Sequence, residues 1–209
     1  MSRLADSIRE ELRGALLPPE QAAAIELHSA IEAAVLVPLH IRRGLIHAVF
    51  TERHHELPRH AGEISFPGGR REPEDPDLIA TALREAHEEV GIPPDSVEVI
   101  GALEPAPTVV SGYAIYPFVG LVPSNFRWTP SAREVAAIID LPLPAVAAGY
   151  GRRRLLRRGV TIHTDTYVAD GHMIWGATAR IVSDLLYRAA DLIAVPESDD
   201  AGAGSPPAA

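Results

Sequence analysis

Cysteine and lysine are both absent from the 209 residues. Without a thiol there is no disulfide, no cysteine nucleophile, no thiolate zinc site and no iron–sulfur cluster. Without a lysine there is no Schiff base and no lysine of a Walker-type phosphate loop. All 19 basic residues are arginine. Nor does any stretch approach ~18 consecutive apolar residues, so no transmembrane helix is expected. Met1 to Arg13 is charged throughout and lacks the apolar centre of a signal peptide. The expectation is a soluble cytoplasmic protein with no membrane partner. A basic surplus is missing too. Acidic residues number 28, for a net charge of −9, which argues against a nucleic-acid or anionic-membrane surface. Carboxylates, histidines, hydroxyls, arginines and oxygen-ligated metals remain for chemistry.

The length suits one domain with short extensions. Residues 1–32 read as an N-terminal helical extension, 33–192 as the main domain and 193–209 as a disordered tail without apolar anchors. Leu4, Ile8, Leu12 and Leu16 recur every four residues, the mark of an amphipathic helix ending before Pro18. A second helix is expected from Pro19 to Glu32. These early helices either cover the sheet or form a homodimer contact. Strands are expected at Ala33–Leu39 and Leu45–Thr51, with Arg42, Arg43 and Gly44 as the turn between them. Further strands are expected at Val97–Leu103, Ile115–Val122 and Val135–Leu141. A short helix fits Pro142–Gly149. The basic run Gly151–Arg158 reads as a solvated loop, Val160–Val168 as an edge strand and Gly176–Leu192 as the last long helix. Strands flanked by helices predict an α/β (α+β) fold, a mixed β-sheet sandwiched between α-helices.

The segment Gly68–Ile92, GGRREPEDPDLIATALREAHEEVGI, carries the most chemistry. Leu78–Val90 on a helix places Ile79, Ala82, Leu83, Ala86 and Val90 in one apolar stripe. Glu85, Glu88 and Glu89 fall on the adjoining face, with Glu85 and Glu89 one turn apart. Three such carboxylates repel one another unless a cation neutralises them. Oxygen donors select hard ions of the Mg²⁺, Mn²⁺ or Ca²⁺ type. Phe66-Pro67-Gly68-Gly69 just upstream reads as a tight turn, where glycine lets backbone approach closely. Its amides suit phosphate oxygens and its carbonyls suit a cation. Together these features fit metal-assisted attack on a phosphoanhydride.

Arg84-Glu85-Ala86-His87-Glu88-Glu89-Val90-Gly91-Ile92 resembles the second half of the Nudix box, an Arg-Glu-U-x-Glu-Glu-x-Gly-U pattern with U aliphatic. The first half departs from the family. The stretch between Gly69 and Arg84 is one residue longer than usual, and Asp75 stands where the pattern has glutamate. Ala48-Val-Phe-Thr51-x-Arg53, Leu57, His60 and Gly62–Gly69 resemble the coenzyme A pyrophosphatase branch. So do Ala80–Glu85, Ser111-Gly112, Glu134-Val135, Pro142-Leu143 and Ile174–Ala179.

The resemblance implies a Nudix fold and a pyrophosphohydrolase acting on a small-molecule nucleotide. The implied substrate is coenzyme A or acyl-CoA, cleaved to 3′,5′-ADP and a phosphopantetheine. ADP-ribose, dinucleotides or nucleoside triphosphates are alternatives, as is a non-catalytic nucleotide-binding role. The implied cofactor is Mg²⁺ or Mn²⁺. Its implied ligands are Glu85 and Glu89, supported by Glu88 and the Gly69 carbonyl. Glu134 is the candidate further ligand or base. Arg53, His60, Gly68, Gly69 and Arg70 are candidate substrate contacts. Arg84 is expected to pair with a box carboxylate and to orient the helix. His54, His55 and His60 lack a compact zinc spacing.

Overall fold

The computed structural model describes residues 3–27, 31–56, 62–108, 112–157 and 160–193. In chain order the elements are α1 (Arg3–Ala15), α2 (Pro19–Ala23), β1 (Ile31–Arg42), β2 (Leu45–Arg53), β3 (Ile64–Ser65), β4 (Gly68–Arg70), α3 (Leu78–Val90), β5 (Glu98–Ala102), β6 (Ala106–Pro107), β7 (Tyr113–Leu121), β8 (Val135–Pro142), α4 (Leu143–Ala148), β9 (Tyr150–Arg157), β10 (Val160–Ala169), β11 (His172–Trp175), α5 (Gly176–Arg188) and α6 (Ala190–Ile193). Eight strands form one mixed sheet, ordered β3-β2-β1-β7-β5. The pairing of β1 with β7 is parallel, and the other pairings in this sheet are antiparallel.

The sheet forks at β1. Leu39–Arg42 pair with β2, but Ala33–Val35 pair with β4 instead. The short glycine strand therefore occupies an edge that β2 has left, and this fork exposes the segment facing α3. Successive side chains of β1 point to opposite faces. Val37 and Leu39 join a core cluster with Ile8 and Leu12 of α1, Leu16 just after it, and Val182 and Leu185 of α5. Ala34 and Leu36 join a second cluster with Ala82, Ala86 and Val90 of α3. The sheet is thus covered by helices on both faces. No helix among the described residues is long and apolar enough to cross a membrane.

Several expectations need correction. The helix predicted from Pro19 to Glu32 stops at Ala23, and Ile31 and Glu32 already belong to β1. Ala23, Ile25 and Leu27 are spaced by two, a period that no helix face supports. The basic run is not a loop. It is β9, paired along its length with β10. Val160–Val168 is not at an edge either, because β10 is the middle strand of a separate sheet ordered β11-β10-β9. Arginine masked β9, since the exposed Arg152, Arg153 and Arg154 in succession leave no apolar alternation to read. The last helix breaks at Ala189 into α5 and α6. Phe66–Gly69 is more than a turn, since Gly68 and Gly69 lie in β4. The expected tail, beyond residue 193, lies outside the described residues.

Leu12 is fully buried in α1, and Leu17 exchanges two backbone hydrogen bonds with Ala102 of β5 (3.0 and 2.9 Å). These contacts bind the N-terminal segment to the sheet. Leu12→Ala should lower unfolding free energy by about 2–5 kcal/mol, read from urea denaturation. A loss below about 0.5 kcal/mol would mean that α1 does not contribute to the cooperative core.

Candidate active site

Helix α3 begins and ends on sequence signals. Asp77 is its N-cap, accepting a hydrogen bond from the Ala80 N–H at 2.8 Å. Gly91 closes it in a left-handed conformation (φ 74°) that glycine adopts without a Cβ clash. Between these ends, Leu78, Ala82, Ala86 and Val90 are buried, and Glu89 is buried with them. The expected apolar stripe is therefore shifted. Ile79 and Leu83 are only partly buried, while the face turned to the sheet includes a carboxylate.

Two glycines make room for that carboxylate and its neighbour. A side chain at Gly69 would run into the carboxylate of Glu85. One at Gly68 would run into the Ala34 carbonyl and Val35. The Gly68 N–H donates to Glu89 Oε2 at 3.2 Å. Leu36 N–H donates to the Pro67 carbonyl and Arg71 N–H to the Glu32 carbonyl. Antiparallel alternation then places Gly69 opposite Ala34 at a bonded position. The Gly69 carbonyl keeps one lone pair for a cation.

Arg84 fixes the loop that leads into the helix. Its Nε and one terminal nitrogen donate to the two oxygens of Asp75 at 2.9 and 3.0 Å. That same terminal nitrogen reaches the Arg70 carbonyl (3.1 Å), and the other reaches Glu85 (3.1 Å) and Glu88 (3.4 Å). Asp75 is buried and also accepts from Thr81 Oγ1 and the Glu72 N–H, both at 2.9 Å. The Arg84 hydrogen bonds hold its carboxyl well below the usual range. The residue that departs from the family pattern thus anchors the arginine, an assignment the sequence left open. Its signal was the spacing to Thr81 and Arg84, six and nine residues on.

The carboxylates differ sharply in environment. Glu88 is exposed. Glu85 is half-buried and its pKa is raised, chiefly by burial and against the pull of Arg84. Glu89 is pushed up to about 8, again chiefly by burial. Its nearest cation is Arg53, 3.8 Å from Oε1. A register shift between Glu52 and Arg53 in β2 sets the direction of that arginine. Glu134 is exposed, yet close enough to raise both Glu85 and Glu89. Its backbone is held by Ser131 and by the His54 N–H, and Ser131 is itself bonded to the Glu89 carbonyl. Arg70 is exposed, and with Arg71, Glu32 and Glu85 it lines an open cleft of about 870 Å³. Arg53, Gly68, Gly69, Arg70, Glu85, Glu88, Glu89 and Glu134 thus gather around one end of α3. His60 lies outside the described residues. His54 and His55 make separate contacts, His55 pairing with Glu52 at 3.1 Å.

Residues 30–138 match the family model described as NUDIX domain. The chain is 42% identical over 156 residues to a Nudix hydrolase, NudL, of Citrobacter koseri, covering 74% of this chain and 80% of that one. This chain belongs to the Nudix family. NudL of Salmonella paratyphi B is 43% identical over 157 residues with the same coverage. Neither relative's name records a substrate, since both are called uncharacterized. A MutT/nudix family protein from Enterococcus faecalis shares the fold, with a TM-score of 0.54 and 14% identity over 91% of this chain and 75% of its own. As a Nudix hydrolase the chain is an enzyme, a pyrophosphohydrolase acting on nucleoside diphosphate-linked substrates.

The Nudix helix fits a hard divalent cation. Its donors are oxygens only. Glu89 is buried with Arg53 3.8 Å away, and Glu85 shares Arg84 with Asp75 and Glu88, so the carboxylates outnumber their arginines and a cation would offset the excess.

Glu89 also sets a pH dependence. Unfolded, it titrates near 4.5, and folded at about 8. Between those values the folded protein holds a proton that the unfolded chain has lost. Stability without a divalent ion therefore falls as pH rises through that window. Melting curves in chelator from about pH 5 to about pH 9 should show this slope in wild type and its loss in Glu89→Gln. An unchanged slope in the variant would contradict the assignment.

Proposed function

We propose that this Nudix hydrolase cleaves the diphosphate of coenzyme A or acyl-CoA, releasing 3′,5′-ADP and a phosphopantetheine. The observation that carries the catalytic part is the pair Glu85 and Glu89, one helical turn apart and seated against the glycine strand. The substrate follows from the resemblance of Ala48–Gly69 and Ala80–Glu85 to the coenzyme A branch.

Glu85 and Glu89 would hold Mg²⁺ or Mn²⁺, with Glu88 and the Gly69 carbonyl as further donors. Such an ion neutralises diphosphate oxygens and lowers the pKa of nearby water. Glu134 is exposed at the same end of the helix, and we assign it the proton from the attacking water. Arg53 and Arg70 supply positive charge for the substrate phosphates, and a guanidinium matches a phosphate bidentately. Gly68 and Gly69 allow the phosphate close to backbone. Arg84 does not face substrate. It holds the Arg70 carbonyl and Glu85 in register through Asp75.

A substrate panel with Mg²⁺ or Mn²⁺, read by product mass, tests the proposal. Coenzyme A or an acyl-CoA should be cleaved fastest, and chelator should abolish turnover. Glu89→Gln should lower kcat by at least about a hundredfold while the protein still folds. Rapid cleavage of ADP-ribose with coenzyme A untouched would overturn the substrate. Tight nucleotide binding without hydrolysis would overturn the catalytic role.

A further inference from the structure

Away from the Nudix helix, another set of ligating atoms converges. His40 on β1, His47 on β2 and Asp140 on β8 present three such atoms within 4.8 Å of one another. Strand register brings them together. His40 and His47 are Cα partners, and β8 runs along the other side of β2 with Asp140 opposite Val49. His40 Nε2 lies 3.0 Å and His47 Nδ1 2.9 Å from the same oxygen, Asp140 Oδ1. Both imidazoles are buried, at 3% and 5% exposure, and their rings stack at 5.0 Å. The Asp140 side chain is 29% exposed, which leaves the cluster open on one side.

Each imidazole can donate an N–H to Asp140 Oδ1 while Arg42 faces Oδ2, yet His40 Nδ1 is buried with no hydrogen-bond partner among the described residues. Buried polar atoms ordinarily find partners. Arg42 pairs with Asp140 Oδ2 at 3.2 Å, but its side chain is half exposed and able to swing outward. In place of these hydrogen bonds, Nε2, Nδ1 and Oδ1 can each offer a lone pair to a single cation. Two imidazoles and one carboxylate with an open fourth position match tetrahedral Zn²⁺. Bonds of about 2.0–2.1 Å would put the ligating atoms about 3.3 Å apart, a few tenths beyond the contacts to Asp140. The cluster is separate from the carboxylate site. His40 is five residues along β1 from Val35, the partner of Gly68, or about 16 Å at ~3.3 Å per residue.

We propose that His40, His47 and Asp140 form a second metal site, selective for Zn²⁺, that clips β1, β2 and β8 together as Arg42 moves aside. With water as the fourth ligand, the ion would act by joining three strands.

The test uses the full-length chain carrying E85Q and E89Q, stripped with chelator, in excess Mg²⁺. Zn²⁺ is titrated against a chromophoric competitor. One equivalent should bind and raise the melting temperature, and Co²⁺ in its place should give the visible absorption of a tetrahedral site. Adding H47Q or D140N should weaken Zn²⁺ binding by at least about tenfold. R42A should leave Zn²⁺ affinity equal or tighter, and it serves as the second variant if H47Q does not fold. The proposal fails if the folded E85Q/E89Q protein takes up no equivalent of Zn²⁺. It also fails if H47Q and D140N bind as tightly as their parent, or if R42A binds about tenfold more weakly.

Discussion

Helix α3 lays the Glu85 carboxylate directly against Gly69 of β4, and the rest of the site depends on that contact. At Gly69 the space a Cβ needs is taken by the carboxylate of Glu85, and at Gly68 by the backbone of β1. Any other residue at position 69 would push the Glu85 carboxylate aside. The same contact lets the Gly68 amide reach Glu89. It exists because β2 parts from β1 and leaves a free edge for β4. A fork in a sheet, filled by a strand with no side chains at two positions, thus becomes the bed for acidic groups on a helix.

Those acidic groups are compensated unequally, and the inequality marks where a cation would bind. Asp75 has two bonds from Arg84 and two more from Thr81 and Glu72. Charge-assisted bonds of this kind contribute about 1.5–3 kcal/mol each, so this carboxylate is settled. Glu89 has one amide at 3.2 Å and one arginine at 3.8 Å. Burial dominates there and favours the protonated form. A divalent ion reverses that balance by supplying the missing charge. Arginine suits the settling role because its planar fork serves several acceptors at once. Arg84 engages Asp75, Glu85, Glu88 and the Arg70 carbonyl together. A lysine ammonium has fewer donors and no plane to hold them in. In a chain without lysine, the clamp is built from the more suitable cation.

Much of this was legible from residue order alone. Leu78–Val90 matches its expected bounds because its apolar periodicity agrees with the ends that Asp77 and Gly91 set in the structure. The turn at Arg43 and Gly44, both with positive φ, was likewise marked by local residues. The three box glutamates and Gly69 were identified by spacing and by the family pattern, and the fold brings them to one end of α3. The burial of Glu89 beside the exposure of Glu88 was not legible, because it depends on where the sheet lies rather than on helical period. The strand β9 was hidden by its arginines, and the end of α2 was overrun because apolar content outweighed the non-helical spacing of Ala23, Ile25 and Leu27. His40, His47 and Asp140 gave no signal at all. Two of them are separated from the third by about a hundred residues, and only sheet register joins them.

Donor chemistry also separates the two proposed metal sites, one on α3 and one reaching β1. The carboxylates of α3 offer oxygen alone, which favours Mg²⁺ or Mn²⁺ and does little to select Zn²⁺. The cluster at His40 offers two imidazoles, which Mg²⁺ binds poorly because it retains its water shell. The two faces of β1 do not separate these sites. Strand alternation puts His40 on the same face as Ala34 and Leu36, the face covered by α3 nearer the fork. Separation comes instead from length along the strand and from the apolar residues of that second core cluster, which offer no ligand between them. Were the imidazoles moved to the fork, they would compete for the ion that the diphosphate needs. Their placement at the far end of β1 lets one ion stiffen the sheet while another serves the reaction.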